Sequence, residues 1–550
     1  MSRMLIFLPL LAAFLVPGAA QAAPGDPYVV YTANNYADGG VILRTDPAAG
    51  SLVEISRNGP QGTLFERPFD LALEADGDIV VADMGTPCTP SLPRCADDGR
   101  IIRVDSVTGR QSLVASGTPL VDPAGIAVAP DGSIYVADNL EADDDGAVIR
   151  VDPGTGAKTL LTEGGLLDLP FGILVDRDGS LVVSNRVSAA GGCALAPGRL
   201  VRVQLADGSQ QLIAQGDLGL FKYPLGVALD SQGRVSFANE CGPNGLVRLN
   251  AGIGSLITAN TDSDLLVTPE RIALDPAGDF LVSDFSVADG DGGIVKVDAE
   301  TGAQSMVRQG DLFNHPLGIA VVVNRPPTAV LRLPVAAAAG RAVRLDGSAS
   351  TDPERLRLVY EWDLNGDGVF ETGSGTDAAI TPSWALDGPV TVRMRVNDPH
   401  GGRAVVERML EIDGSVPVLT GLQASSNVIS IGRGGGRTGR ASADKDGPPP
   451  ATRVRFRVSE SGEVHVAVHL ARRGRRARKG GSCKPRARRG RRCTRLSRAR
   501  VFNRAARAGA NSVLIKAKGL RPGSYRLGFT ATDAVGNEAT ERSLALRVVR

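Results

Sequence analysis

Short runs of alternating apolar residues, separated by Gly-rich turns, recur along the first 323 residues of the chain. The stretch DPAGIAVAPDGSIYVADN, Asp122 to Asn139, shows the unit. Period-two alternation in GIAV and IYVAD predicts two strands, and Asp131-Gly132 supplies the tight reversal between them. Related phrases are RPFDLALEADGDIVVADM from Arg67, LPFGILVDRDGSLVVSNR from Leu169, YPLGVALDSQGRVSFANE from Tyr223 and TPERIALDPAGDFLVSDF from Thr268. A half copy, HPLGIAVVV, starts at His315. After each full copy comes a third-strand phrase, from GRIIRVDSVTG at Gly99 to GGIVKVDAETG at Gly292, and then a short apolar stretch.

Four strands per unit, repeated about every 45–55 residues, predict the blades of a β-propeller, in which each small sheet buries its faces on its neighbours. The ends of the array complete the count. YVVYTANN and GGVILRTDPAAG near the start read as the second and third strands of a unit that lacks its first. The half copy is that missing strand. Placing residues 315–322 beside 28–34 predicts a closed ring of six blades with no exposed edge. These phrases resemble the NHL and SMP-30/gluconolactonase-like six-bladed propellers over roughly residues 28–322. The resemblance implies architecture more than activity, because one fold hosts many chemistries.

Within the repeat, the positions that break its symmetry are the candidates for function. The inner-strand entrance is Gly125, Gly172, Gly226 and Gly318 in four units, but Asp70 and Arg271 in the other two, with Glu270 beside Arg271. Their units flank the shared blade, which predicts that Asp70 and Arg271 face each other near the channel mouth, as a salt bridge or as a ligand-recognition set with Glu270. Enzymatic relatives of this resemblance hold a divalent metal with Glu, Asn and Asp on inner strands; glycine at most of these entrances means that constellation is not carried over. Each second strand ends in an acid or amide (Asn34, Asp83, Asp138, Asn185, Asn239, Asp284), which predicts acceptors for backbone N–H groups where the strand turns.

Composition changes the picture at the two ends. Arg3, the apolar run MLIFLPLLAAFLV and the small-residue site before Ala22 predict a secretory signal over residues 1–22, hence a secreted or surface-associated protein with no transmembrane segment in the mature chain. In an oxidising compartment the six cysteines read as disulfide partners. Cys88 and Cys95 lie in one loop, Cys193 and Cys241 in equivalent loops of adjacent blades, and Cys483 and Cys493 near the C-terminus. The net charge of +1 conceals an asymmetry: residues 23–323 hold 19 Lys and Arg against 40 Asp and Glu, whereas 414–550 hold 31 against 7.

After Pro326-Pro327 the repeat stops. Residues 324–413, with RAVRLDGSASTDPE, LVYEWDLNGDGVFET and VTVRMRVNDPHGG, resemble a PKD domain, an Ig-like β-sandwich of exported bacterial proteins that implies a spacer or weak adhesive role. In DLNGDG, Asp363, Asn365 and Asp367 alternate oxygen ligands before Gly368, as in the first half of a calcium loop. The twelfth position is Ser374, with Glu371 nearby, so Ca2+ and a solvated hairpin turn both fit.

Residues 414–550 resemble a second bacterial Ig-like module, carrying an Arg-rich disulfide loop over 472–507. That loop has almost no acids and no aromatics through Arg500, a poor pattern for nucleic acid. A solvated loop, an anchor on anionic wall polymer or lipid, and docking on the acidic ring are its open readings.

The expectation is thus an all-β, monomeric chain: a six-bladed propeller (23–323) and two Ig-like sandwiches. Its expected role is non-enzymatic binding of a carbohydrate, an anionic cell-wall polymer or a surface protein through the loop face, with no cofactor beyond Ca2+. A lactonase-like hydrolase using Asp70 or Glu270 and a purely structural spacer are the rivals.

Overall fold

The computed structural model describes residues 23–34, 39–86, 98–139, 145–186, 198–216, 220–240, 244–250, 252–259, 265–287, 292–310, 312–431, 447–476, 482–484 and 489–550. The expected signal segment and Cys88, Cys95, Cys193 and Cys241 lie outside the described residues. The chain divides into two compact units, residues 1–329 with 350–360 and 395–405, and residues 330–349, 361–394 and 406–550.

Six four-stranded antiparallel sheets make up the ring of the first unit. Their inner strands are Pro68–Leu73, Pro123–Val128, Leu169–Val175, Tyr223–Leu229, Pro269–Leu274 and Pro316–Val323. The last of these pairs with Tyr28–Asn34, placing Tyr28 opposite Val323, Thr32 opposite Ile319 and Asn34 opposite Pro316. The two ends of the repeat therefore share one sheet, and the array closes as the half copy predicts.

Second strands such as Ile79–Asp83, Ile134–Asp138 and Phe280–Asp284 are buried at every position, because a sheet sits on each side of them. That is why their sequences read as continuous apolar runs. Core clusters draw on adjacent blades, one joining Ile42 and Phe65 to Val81 and Ile102, another joining Val182 to Phe237 and Val247.

Close to the axis the inner strands approach one another tightly. A Cβ added at Gly125 would meet the Phe171 carbonyl oxygen at 2.2 Å, and one at Gly172 would meet that of Leu225 at 2.4 Å. Glycine at these entrances is a packing requirement, and the two blades that depart from it send a side chain into the channel instead.

Segments 350–360 and 395–405 are tied to the ring by polar contacts. Arg357 pairs with Asp105 at 3.0 Å, Arg325 pairs with Glu354 at 2.8 Å and also with Asp26, and the Tyr31 hydroxyl meets His400 Nδ1 at 2.9 Å.

Beyond the ring, Ala336–Ala338, Arg403–Asp413, Gly388–Asn397, Val359–Asp363 and Thr372–Gly375 form a five-stranded sheet. Trp362 is fully buried there, its indole N–H donating to Ser374 Oγ at 2.9 Å. The C-terminal sandwich packs the sheet of Leu419–Ala424, Ala451–Val458 and Gly509–Lys516 against that of Val428–Ser430, Arg542–Val549, Gly523–Asp533, Gly462–Arg476 and Arg491–Ala506. Its core includes Val454, Phe456, Val466, Leu527 and Phe529.

The Arg-rich stretch read as a loop is, over most of its length, a two-stranded ribbon. Strand Gly462–Arg476 pairs with Arg491–Ala506 to its end, Arg476 lying opposite Arg491. The Cys483–Cys493 disulfide is formed. The ladder extends because pairing begun at the buried Val464, Val466 and Val468 needs no apolar side chains to continue outward. Among the described residues no helix is long and apolar enough to cross a membrane.

Candidate ligand site at the mouth of the ring

Five of the six Asp/Asn positions accept backbone N–H groups as expected, whereas Asn34 donates its Nδ2 to Thr32 and its Oδ1 has no partner among the described residues. Asp83 accepts N–H bonds from Glu66, Arg67 and Gly85, Asp138 from Val121 and Asp122, and Asp284 from Val267, Thr268 and Ser286. Asn185 and Asn239 accept one each, from Asp168 and Tyr223. Buried carboxylates need such partners. Burial still pushes Asp138 up to about 7 and outweighs its two N–H donors.

Asp70 and Arg271 do meet across the channel. Arg271 Nε lies 3.3 Å from Asp70 Oδ2, and both side chains are almost fully buried. Asp70 also accepts from Leu71 N at 2.9 Å and Ile126 N at 3.2 Å. Arg271 Nη2 donates to the Ala124 carbonyl at 2.6 Å, and the guanidinium lies 4.1 Å from the centre of the Phe171 ring. Burial pushes the Asp70 carboxyl up, and Arg271 and the two N–H donors oppose it. The pair thus bridges three inner strands as a plug.

Glu270 is different. It follows the conserved-in-phrase proline of its strand, where the other five units place Phe69, Ala124, Phe171, Leu225 and Leu317. Its Oε2 is buried with no hydrogen-bond partner among the described residues. Burial pushes its pKa up to about 7, against the pull of Arg271.

Residues that the sequence reading did not single out complete the mouth. Arg186 spans two aromatic rings, 4.2 Å from the centre of Phe171 and 4.9 Å from that of Tyr223, and its Nε is buried without a partner among the described residues. Glu240, opposite Tyr223 in the ladder, has its carboxyl pushed up by burial and pulled down by Arg186. Phe285 stacks on His315, ring centres 4.0 Å apart. A signal for three of them existed: Arg186, Glu240 and Phe285 each directly follow the recurring Asp or Asn of a second strand.

This mouth offers the faces of Phe171 and Tyr223, the Arg186 cation and the carboxyls of Glu240 and Glu270, both of which act on Arg186 electrostatically. Asp70 is not free to ligate a channel metal of the kind the resemblance implies, since both its oxygens are taken by N–H groups and by Arg271. At the opposite end of the inner strands a cavity of about 770 Å³ opens beside Glu74, Pro130 and Asp176. Its Glu74 and Asp176 are already paired with Arg103 and Arg202.

In the DLNGDG turn the expected ligands separate by role. Asp363 is buried, and its oxygens accept N–H bonds from Asn365, Gly366 and Gly368, with Arg393 3.4 Å away. Asn365 Nδ2 donates to Asp367 and Glu371. The carboxylates of Asp363, Asp367 and Glu371 come within 4.8 Å of one another, with Glu371 joining the expected acids.

Solved structures are similar to this chain at low identity. A gluconolactonase from Xanthomonas campestris is 16% identical, with 54% of this chain and 90% of that chain covered at a TM-score of 0.35. Streptogramin B lyase is 16% identical, with 52% and 86% covered at 0.34. A protein from Lactobacillus plantarum is 15% identical, with 54% and 99% covered at 0.37. No curated protein matches the sequence. Residues 324–412 match the PKD domain, so the chain joins a six-bladed β-propeller to a PKD domain.

Proposed function

We propose that this is an exported, non-enzymatic binding protein that holds a carbohydrate at the mouth of its ring. One observation carries the reading: Arg186 Nε, whose guanidinium lies over the faces of Phe171 and Tyr223, and Glu270 Oε2 are buried polar atoms without partners among the described residues. A buried polar atom left unpaired is destabilising by about 1–3 kcal/mol, and a ligand bearing both donors and acceptors on an apolar ring relieves it. Sugars have that make-up. Asp70 and Arg271 position the mouth, and Glu270 contacts the ligand.

On an array of neutral and acidic oligosaccharides the full chain should bind a defined subset. Arg186→Met and Glu270→Gln should each weaken that binding at least about tenfold, the loss of a hydrogen bond to a charged group. No glycan binding, or binding indifferent to both substitutions, would overturn the proposal. The second reading rests on the pKa of Glu270 near 7, the range of a general base. Lactone turnover by the full chain, lost in Glu270→Gln, would establish the hydrolase instead.

The Arg ribbon supports an anchoring role beside recognition. It sets Arg472 opposite Arg495, Arg475 opposite Arg492 and Arg476 opposite Arg491, and like charges directly opposite destabilise a ladder. A polyanion relieves that repulsion. Retention on anionic wall polymer should fall steeply between low salt and about 0.5 M, as screening shortens to a few ångströms, and should be lost in the triple variant R491Q/R492Q/R495Q. Retention equal to the parent in that variant would refute the anchor.

A further inference from the structure

Three carboxylates far apart in sequence converge in the second unit. Asp413 ends strand Arg403–Asp413, Glu460 sits in the turn between Ala451–Val458 and Gly462–Arg476, and Asp533 ends Gly523–Asp533. One oxygen from each lies within 4.8 Å of the others. None of the three forms an ion pair with a described residue.

Asp533 is the informative member. It is 8% exposed. Its Oδ1 accepts N–H bonds from Val535, Gly536 and Asn537 at 2.9, 2.6 and 2.9 Å, while Oδ2 is buried with no partner among the described residues. Local contacts fix the other two. Asn537 Nδ2 donates to the Asp413 carbonyl at 2.9 Å, and Ser415 N and Oγ donate to Asp413 Oδ1 at 2.8 and 2.6 Å. Ser459 N bonds the Val418 carbonyl at 3.0 Å and Ser459 Oγ accepts from Val418 N at 2.9 Å, holding the Glu460 turn against residues 414–418.

Buried or crowded carboxylates persist when they are paired or when they bind a cation. Burial and then the two neighbouring carboxylates push Glu460 up, the direction expected of like charges gathered without a counter-charge. A hard cation with oxygen ligands at about 2.3–2.6 Å can touch atoms up to about 5 Å apart, which spans this group.

We infer that Asp413, Glu460 and Asp533 form a Ca2+ site that ties the end of strand Arg403–Asp413 to two turns of the C-terminal sandwich.

The test uses the full chain, stripped of metal and titrated with CaCl2 by calorimetry, with MgCl2 as the competing hard cation. Because the 363–371 turn also groups carboxylates, the titration is repeated in a D367N/E371Q background. The expected result there is saturable Ca2+ binding, a rise in Tm and slower proteolysis within 414–418. Asp533→Asn should weaken binding at least tenfold; Glu460→Gln, in a partly exposed turn and safer for folding, should do the same. Three outcomes overturn the inference: no heat up to about 10 mM, above the ~10⁻⁴–10⁻³ M range of extracellular modules; loss of all binding in D367N/E371Q; or binding unchanged in Glu460→Gln.

Discussion

Replacing Arg271 with methionine should destabilise the ring by about 3–5 kcal/mol, the effect of leaving one member of a buried ion pair without its partner. In the parent the guanidinium answers three needs at once: the Asp70 carboxylate at 3.3 Å, the Ala124 carbonyl at 2.6 Å and the face of Phe171. Methionine keeps the volume and some contact with the ring but none of the charge. Asp70, which burial already pushes up in the parent, should rise further without Arg271, so the variant should recover more stability than the parent as pH falls. The double variant D70L/R271M removes both charges and should lie within about 1–2 kcal/mol of the parent, since an apolar pair often replaces a buried ionic one at little net loss. Urea unfolding of the four proteins of the cycle measures this. A single variant within 1 kcal/mol of the parent would show that the plug is not a keystone.

The second large effect is a pair of opposed titrations where residues 395–405 meet the ring. Burial lowers His400 to about 4, so it folds neutral, with Tyr31 as its hydrogen-bond partner. A depressed histidine contributes stability that is complete above its unfolded value of about 6.5 and is lost as pH falls towards 4, about 3 kcal/mol in all. Asp398 has the opposite sign. Burial raises it to about 6, so its contribution is complete below about 4 and is lost as pH rises through 6. The parent should therefore be nearly level between pH 4.5 and 6. His400→Gln exposes the aspartate alone, and its stability should fall by about 3 kcal/mol as pH rises from 4 to 6.5. Asp398→Asn should show the mirror image, rising with pH. Parallel curves for all three proteins would mean that neither group is held as its surroundings imply.

The ring was legible in the sequence because its information is local and repeated. A strand buried on both faces writes itself as an apolar run, a Gly-containing turn follows, and the half copy at His315 had one place to go. Asp70 and Arg271 were legible too, as departures from a glycine that close packing requires. Arg186 and Glu240 escaped notice because they sit at the start of variable loops, where nothing in the repeat constrains them; only their shared offset from Asn185 and Asn239 marks them.

The Arg ribbon reads as a loop in the sequence for a different reason. Its strands carry no apolar alternation beyond Leu470, and the ladder is continued by backbone pairing alone. Asp413, Glu460 and Asp533 come from three separate segments of the chain, and no spacing rule along a chain connects them.

The way the wheel closes also decides how it bears load. Strand Pro316–Val323 runs from the mouth, where Pro316 faces Asn34, to the far side, where Val323 faces Tyr28 and the chain leaves for residue 324. If a bound surface pulls on the mouth while the remainder of the chain is held, tension runs along that strand. Its rungs to Tyr28–Asn34 then share the strain together rather than opening one after another. Grip at the mouth and resistance to being torn open would come from the same seam.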